Sequence, residues 1–125
     1  MKQILLLVIM CFSSSCVKSQ TLSVRVTHYH PTKEECDSDP LVTVDGSVIN
    51  LHKLKNGSIK WCAVSRDLWN IFPKNTPKRI RVHGVGVYEV RDKTGPKARR
   101  TVDILTHPND KKKIHIEKCK ITIIK

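Results

Sequence analysis

The sequence predicts an all-β domain, either a small barrel or a sandwich. Apolar and polar residues alternate with period two over most of the chain, the pattern of strands that bury one face. The alternating runs are short and are separated by turn-forming pairs such as Asp45-Gly46, Asn56-Gly57 and Gly95-Pro96. Several such strands in about 100 residues make one closed or two-layered core. No convincing amphipathic helix and no internal repeat is visible.

Each run can be placed in order. Leu22 to His30 alternates and stops at Pro31, giving a first strand. A polar loop rich in Glu, Asp and Ser runs from Thr32 to Pro40. Leu41 to Val44 and Val48 to Leu51 are short apolar pieces on either side of the Asp45-Gly46 turn. Ser58 to Val64 reads as a buried strand, and Ser65 can cap a short helical turn through Ile71. Arg79 to His83 alternates, and Gly84 and Gly86 around Val85 suggest a bulge or a close backbone approach. Val85, Val87, Tyr88 and Val90 lead to Asp92, and a second apolar run around Val102, Ile104 and Leu105 carries Asp103. The last strand covers Lys113 to Lys125. Ile114 and Ile116 share one phase and Cys119, Ile121 and Ile123 the other, so a bulge or crossover is expected near Glu117-Lys118.

The first 19 residues read as a leader and short linker, and residues 20–125 as the domain. Lys2, the apolar run Ile4 to Phe12 and the small residues Ser13-Ser14-Ser15 form a secretory signal. The apolar run is shorter than the roughly 20 residues a membrane-spanning helix needs. Cys16 directly after the serines resembles a relaxed bacterial lipoprotein signal, which would make Cys16 the lipidated first residue. Cleavage after Ser19 is the competing reading. A single acyl chain anchors only weakly, so stable attachment would need more than one.

The formal charge is +12, and Lys2 is the one charged residue before Cys16, which leaves +11 on a chain starting there. Such a charge favours anionic envelope polymers or acidic lipid headgroups. A secreted chain with two Trp, two Tyr and two Phe and no basic–aromatic platform argues against nucleic acid as the partner. Cys36, Cys62 and Cys119 follow Cys16, and an oxidising compartment permits one disulfide among them, with the pairing open. No Cys-x-x-Cys occurs, and His28 and His30 at i, i+2 lack a third ligand at a recognisable spacing, so no metal site is read.

Asp92 and Asp103 stand out for chemistry. Two strand-borne carboxylates flank one loop that turns at Gly95-Pro96, so they can converge on a point. One member of a close carboxylate pair has a raised pKa and can donate a proton near neutral pH. The alternative is a pair of ordinary solvated or turn-capping aspartates.

Four motifs, in order, give the chain a family likeness. They are Thr27-x-Tyr29-x-Pro31, then Thr43-Val44-Asp45-Gly46-Ser47, then Cys62 to Leu68 ahead of a Pro-containing loop, then Asp92-x-x-Gly95-Pro96 ending in Arg100-Thr101-Val102-Asp103-Ile104-Leu105. Together they resemble the double-psi β-barrel domains of rare lipoprotein A and of the three-aspartate domain in membrane-bound lytic transglycosylase A. The likeness covers residues 22–105 and is expected to extend to the C-terminus. It implies a six-stranded double-psi barrel with one or two short helical turns, in a bacterial cell-envelope protein, periplasmic or lipid-anchored. The implied activity is cleavage of peptidoglycan glycan strands without water, with no cofactor. Asp92 would be the acid, Asp103 would tune it by like-charge proximity, and Asp67 is a possible third member. Tyr29, Thr43 and Arg100 are candidates for sugar or peptide hydrogen bonding. The chain departs from the pattern at Ser65, where the family has His or Asp, at the inserted Thr94, and at Arg99, which replaces a glycine. Those departures also fit a non-catalytic, expansin-like polysaccharide-binding barrel, or a secreted inhibitor or structural protein that uses only its basic surface.

Overall fold

The computed structural model describes residues 20–33, 35 and 39–124. The leader, Cys16 and Cys36 lie outside the described residues.

Six strands close into one barrel: β1 (Thr21–Tyr29), β2 (Trp61–Val64), β3 (Arg79–Val82), β4 (Gly86–Lys93), β5 (Thr101–Leu105) and β6 (Ile116–Ile124). Two short helices fall in the connections between strands, α1 (Leu51–Lys55) between β1 and β2 and α2 (Arg66–Trp69) between β2 and β3. Around the barrel the order is β1-β5-β2-β4-β3-β6. The pairs β1/β5 and β2/β4 are parallel and the other four antiparallel. Exchanging β1, β2 and β3 for β4, β5 and β6 leaves this pairing scheme unchanged. The barrel thus carries a topological repeat that the sequence does not show, and its mixed pairing is compatible with a double-psi barrel.

Alternation explains the core. Val24 and Val26 of β1, Cys62 and Val64 of β2, Ile80 and Val82 of β3, Val102 and Ile104 of β5, and Ile121 and Ile123 of β6 all point inward and are buried. Closing the sheet leaves no exposed edge. Their neighbours in sequence face outward. On β2 and β5 this outer face is covered as well: Trp61 and Leu105 pack with Ile49 and Leu54 from the segment between β1 and β2. This second small core holds residues 41–60 against the outside of the barrel and builds one wall of the cleft described below.

The expected phase change in the last strand is present. Val24 pairs with Cys119 but Val26 with Ile116, so β6 contains one extra residue around Glu117-Lys118. Other details differ from the sequence reading. Of the bulge or close approach expected at Gly84 and Gly86, the β3–β4 ladder shows no bulge; the two glycines flank a tight turn closed by Val85 N–H donating to Val82 C=O at 2.9 Å, and Gly86 is closely approached by the Lys60 side chain. The turn needs φ of +80° at Gly84, a value glycine adopts without strain. Leu41 to Val44 contributes only an isolated bridge, Val42 to Val48. Ser65 stands at the N-cap of α2, but its side chain makes no capping bond there; its Oγ accepts from the Thr101 N–H at 3.0 Å instead. Cys62 and Cys119 are both free thiols and both buried, so the disulfide expected among three cysteines is not made between these two.

Candidate functional site

The two aspartates meet because the β4–β5 connection straps over the end of β2. Thr94 N–H donates to Val64 C=O at 3.0 Å on one side, and Ser65 N–H to Thr101 C=O at 2.9 Å on the other. The strap turns at Gly95, whose C=O accepts from Ala98 N–H at 3.2 Å. As a result β2 lies between β4 and β5, and Ala63 pairs with Asp92 on one side and with Asp103 on the other. Paired residues share a sheet face, and two strand spacings put the aspartate Cα atoms roughly 9–10 Å apart. Between them stands only the Ala63 methyl group.

A register shift gives Asp92 this orientation. Cys62 pairs with Val90 but Ala63 with Asp92, so Arg91 is an extra residue on β4. Strict alternation from the buried Val90 would send Asp92 into the core. The bulge turns it outward, to the face that carries Asp103. Arg91 itself also faces out. Its guanidinium lies 5.4 Å over the Trp61 ring, 3.4 Å from Glu89 and 3.5 Å from Asp45.

The aspartates form the floor of an open cleft of about 690 Å³. Its walls are Tyr29, Glu35, the 39–44 segment, Arg66 and the Lys93–Pro96 stretch. Asp92 Oδ1 accepts from two backbone N–H groups, Val44 at 3.0 Å and Lys93 at 2.9 Å. Asp103 Oδ1 accepts from the Thr27 hydroxyl at 2.7 Å. In the turn above the cleft the Thr43 hydroxyl donates to Asp45 Oδ1 at 2.6 Å, and the Ser47 N–H to the same oxygen at 3.0 Å.

Burial raises the pKa of both floor aspartates above the ordinary range. For Asp92 the two backbone donors pull the other way and the Asp45 charge adds to the rise. For Asp103 the Thr27 hydroxyl and His28 oppose the rise, and Glu35 adds to it. Desolvation leads in both cases, so mutual repulsion of the two aspartates, the cause expected from sequence, is not the main one. Asp45 is different: burial raises it, but bonds from Ser47 and Thr43 and the Arg91 charge outweigh that and hold it low.

Of the residues singled out from sequence, Asp92, Asp103, Tyr29 and Thr43 line this one cleft. The Thr43 hydroxyl is committed to Asp45 and Ser47. Asp67 and Arg100 are not among the residues that line it. The Asp67 carboxylate accepts the Arg100 backbone N–H at 3.0 Å and so fastens the strap to α2. Burial of Asp67 is outweighed by bonds from Ser65 and the Arg100 and Leu68 amides, which keep its pKa low. Arg100 takes φ of +45°, accepts from Arg25 N–H at 2.8 Å, and leaves its side chain exposed. The cations at the cleft are Arg66 and Lys93 instead. The sequence reading places no bulge at Arg91 and assigns no site role to Ala63 or Thr27. A carboxylate in the inward phase two residues after Val90 was the signal that could have revealed the bulge. Among the described residues no cluster of three metal-ligating side chains occurs.

The fold and this site define a closed six-stranded mixed β-barrel with a desolvated aspartate pair on the floor of an outer cleft. No family model matches the chain, and comparisons with curated proteins and with solved structures return no significant match.

A raised pKa in the folded state means that ionising the group opposes folding. The corresponding stability is complete below the unfolded pKa and is lost as pH rises through the folded one. Asp103→Asn removes the ionisation while keeping an acceptor for Thr27. Its melting temperature should exceed that of the parent at pH 7, with the gap closing toward about pH 4, the ordinary aspartate range. Thermal melts across that interval check this. A loss of stability independent of pH would contradict it.

Proposed function

We propose that the chain is a cell-envelope protein whose cleft cleaves glycan strands of peptidoglycan in the manner of a lytic transglycosylase. One observation carries the reading: two desolvated carboxyl groups share an open, polar cleft, one on each side of a residue as small as alanine. A desolvated carboxylic acid holds its proton toward neutral pH and can give it to a leaving oxygen.

The hydrogen bonding distributes the roles differently from the sequence expectation. Asp92 accepts two backbone N–H bonds, which favour its ionised form, whereas Asp103 accepts one hydroxyl bond. Asp103 is therefore the better proton donor and Asp92 the better partner for developing positive charge. In the proposed step Asp103 protonates the glycosidic oxygen as the bond to the anomeric carbon breaks. The sugar's own 6-hydroxyl attacks that carbon, and its proton returns to the Asp103 carboxylate. The product is an anhydro-sugar, and no water is consumed. Arg66 and Lys93 on the rim would attract the acidic peptide or other anionic groups of the polymer.

The expansin-like alternative relies on stacking sugars against aromatic rings. Among the described lining residues Tyr29 is the one aromatic, which favours the catalytic reading.

Incubating the protein with purified peptidoglycan and analysing the products by mass spectrometry tests this. Anhydro-muropeptides are expected from the parent. Asp103→Asn should lower the rate by about 100-fold or more, in the range of a lost general acid. An Asp103→Asn variant as active as the parent, or products lacking the anhydro ring, would contradict the proposal.

The leader supports export, with Cys16 acylated as the mature first residue. Cys16→Ser should move the protein from the membrane to the soluble fraction of bacterial extracts. Unchanged fractionation would exclude the anchor.

A further inference from the structure

A second cavity, of about 920 Å³, shares no lining residue with the aspartate cleft. Strand β4 links the two: Tyr88 near its start lines the second cavity, and Asp92 near its end lies on the floor of the first. The second is a trough between the end of α1, the β3–β4 turn and the segment that leads from β5 to β6.

Its chemistry is opposite to that of the cleft. Lys55, Lys60, Lys112 and Lys113 all line it, and none of them is in an ion pair among the described residues. The one carboxylate in the lining is Asp110, whose Oδ1 accepts the Lys112 backbone N–H at 2.9 Å as part of a turn. Lys60 lies across an aromatic ring at the trough. Its ammonium lies 5.0 Å over the Tyr88 ring, and a Cβ at position 86 would come within 2.9 Å of it. Gly86 takes φ of +151°, a conformation that glycine adopts readily. Partly buried apolar residues such as Tyr88 and Ile114 lie below the charges.

We propose that this trough binds a strand of an anionic, phosphate-bearing polymer, separately from the cleft. Four unpaired ammonium groups around one concavity are point charges suited to successive phosphates. The concave shape fits a chain better than a flat lipid surface. The function is to hold the barrel on an acidic matrix while the cleft stays free.

Long-chain inorganic polyphosphate is the probe, titrated calorimetrically into the protein at several salt concentrations. The Lys55→Gln/Lys60→Gln/Lys112→Gln/Lys113→Gln variant should bind at least about tenfold more weakly, with a shallower salt dependence. All four side chains are exposed. Lys112→Gln/Lys113→Gln, which leaves Lys60 on Tyr88, should lose affinity by an intermediate factor and guards against misfolding of the fourfold variant. A control with Lys53, Lys74, Lys97 and Lys118 changed to Gln, all exposed and outside both cavities, should stay within about twofold of the parent. Asp103→Asn should bind unchanged. Equal losses in the control and the trough variant would reduce the effect to net charge and overturn the site. If the four lysines matter for vesicles of equimolar phosphatidylglycerol and phosphatidylcholine but not for polyphosphate, the trough is a lipid contact and the polymer assignment fails.

Discussion

At Arg91 the ladder between β2 and β4 takes in one residue that β2 does not match, and the site depends on that mismatch. Before it, Val90 faces Cys62 inside the barrel. After it, Asp92 faces outward beside Ala63. Without the extra residue a carboxylate would point into a close-packed apolar interior, where an uncompensated charge is strongly unfavourable. The bulge also supplies its own fastening. Arg91 rests on Trp61 and reaches Glu89 and Asp45, while Asp92 caps the Val44 amide. Each of the exposed ion pairs contributes little by itself. Together with the second core under residues 41–60 they fix the turn that forms the cleft wall. One local irregularity thus orients the acid and positions the loop above it.

The strap from β4 to β5 completes the arrangement. It crosses the end of β2 and is held there by Val64, Ser65 and Asp67. Asp67 and Arg100 belong to this support, which explains why neither lines the cleft although each sits in one of the motifs singled out from sequence. With the strap in place, β2 separates the aspartates by one residue, and the small Ala63 side chain leaves the space between them open.

Much of this was legible in the sequence. Period-two alternation and the turn pairs give the strands, and the phase change before Cys119 gives the β6 bulge. The spacing of Asp92 and Asp103 around Gly95-Pro96 points to a shared site. Three things were not legible. The order of strands in a closed barrel depends on long-range pairing that no local pattern encodes. The Arg91 bulge breaks alternation by one residue, and Val85, Val87, Tyr88 and Val90 before it already mix the two phases. The Ser65 hydroxyl is used by the Thr101 amide, 36 residues away in sequence, so the residue type alone suggests a cap that it does not make.

Asp92 and Asp103 are desolvated together on the cleft floor, while the Asp45 and Asp67 carboxylates accept hydrogen bonds that hold a turn and the strap. Carboxyl carbon NMR of the protein, followed through a pH titration, measures this directly. Two groups are expected: Asp92 and Asp103 titrating above the ordinary aspartate range, and Asp45 and Asp67 below it. Asp92 and Asp103 titrating with or below Asp45 and Asp67 would contradict it.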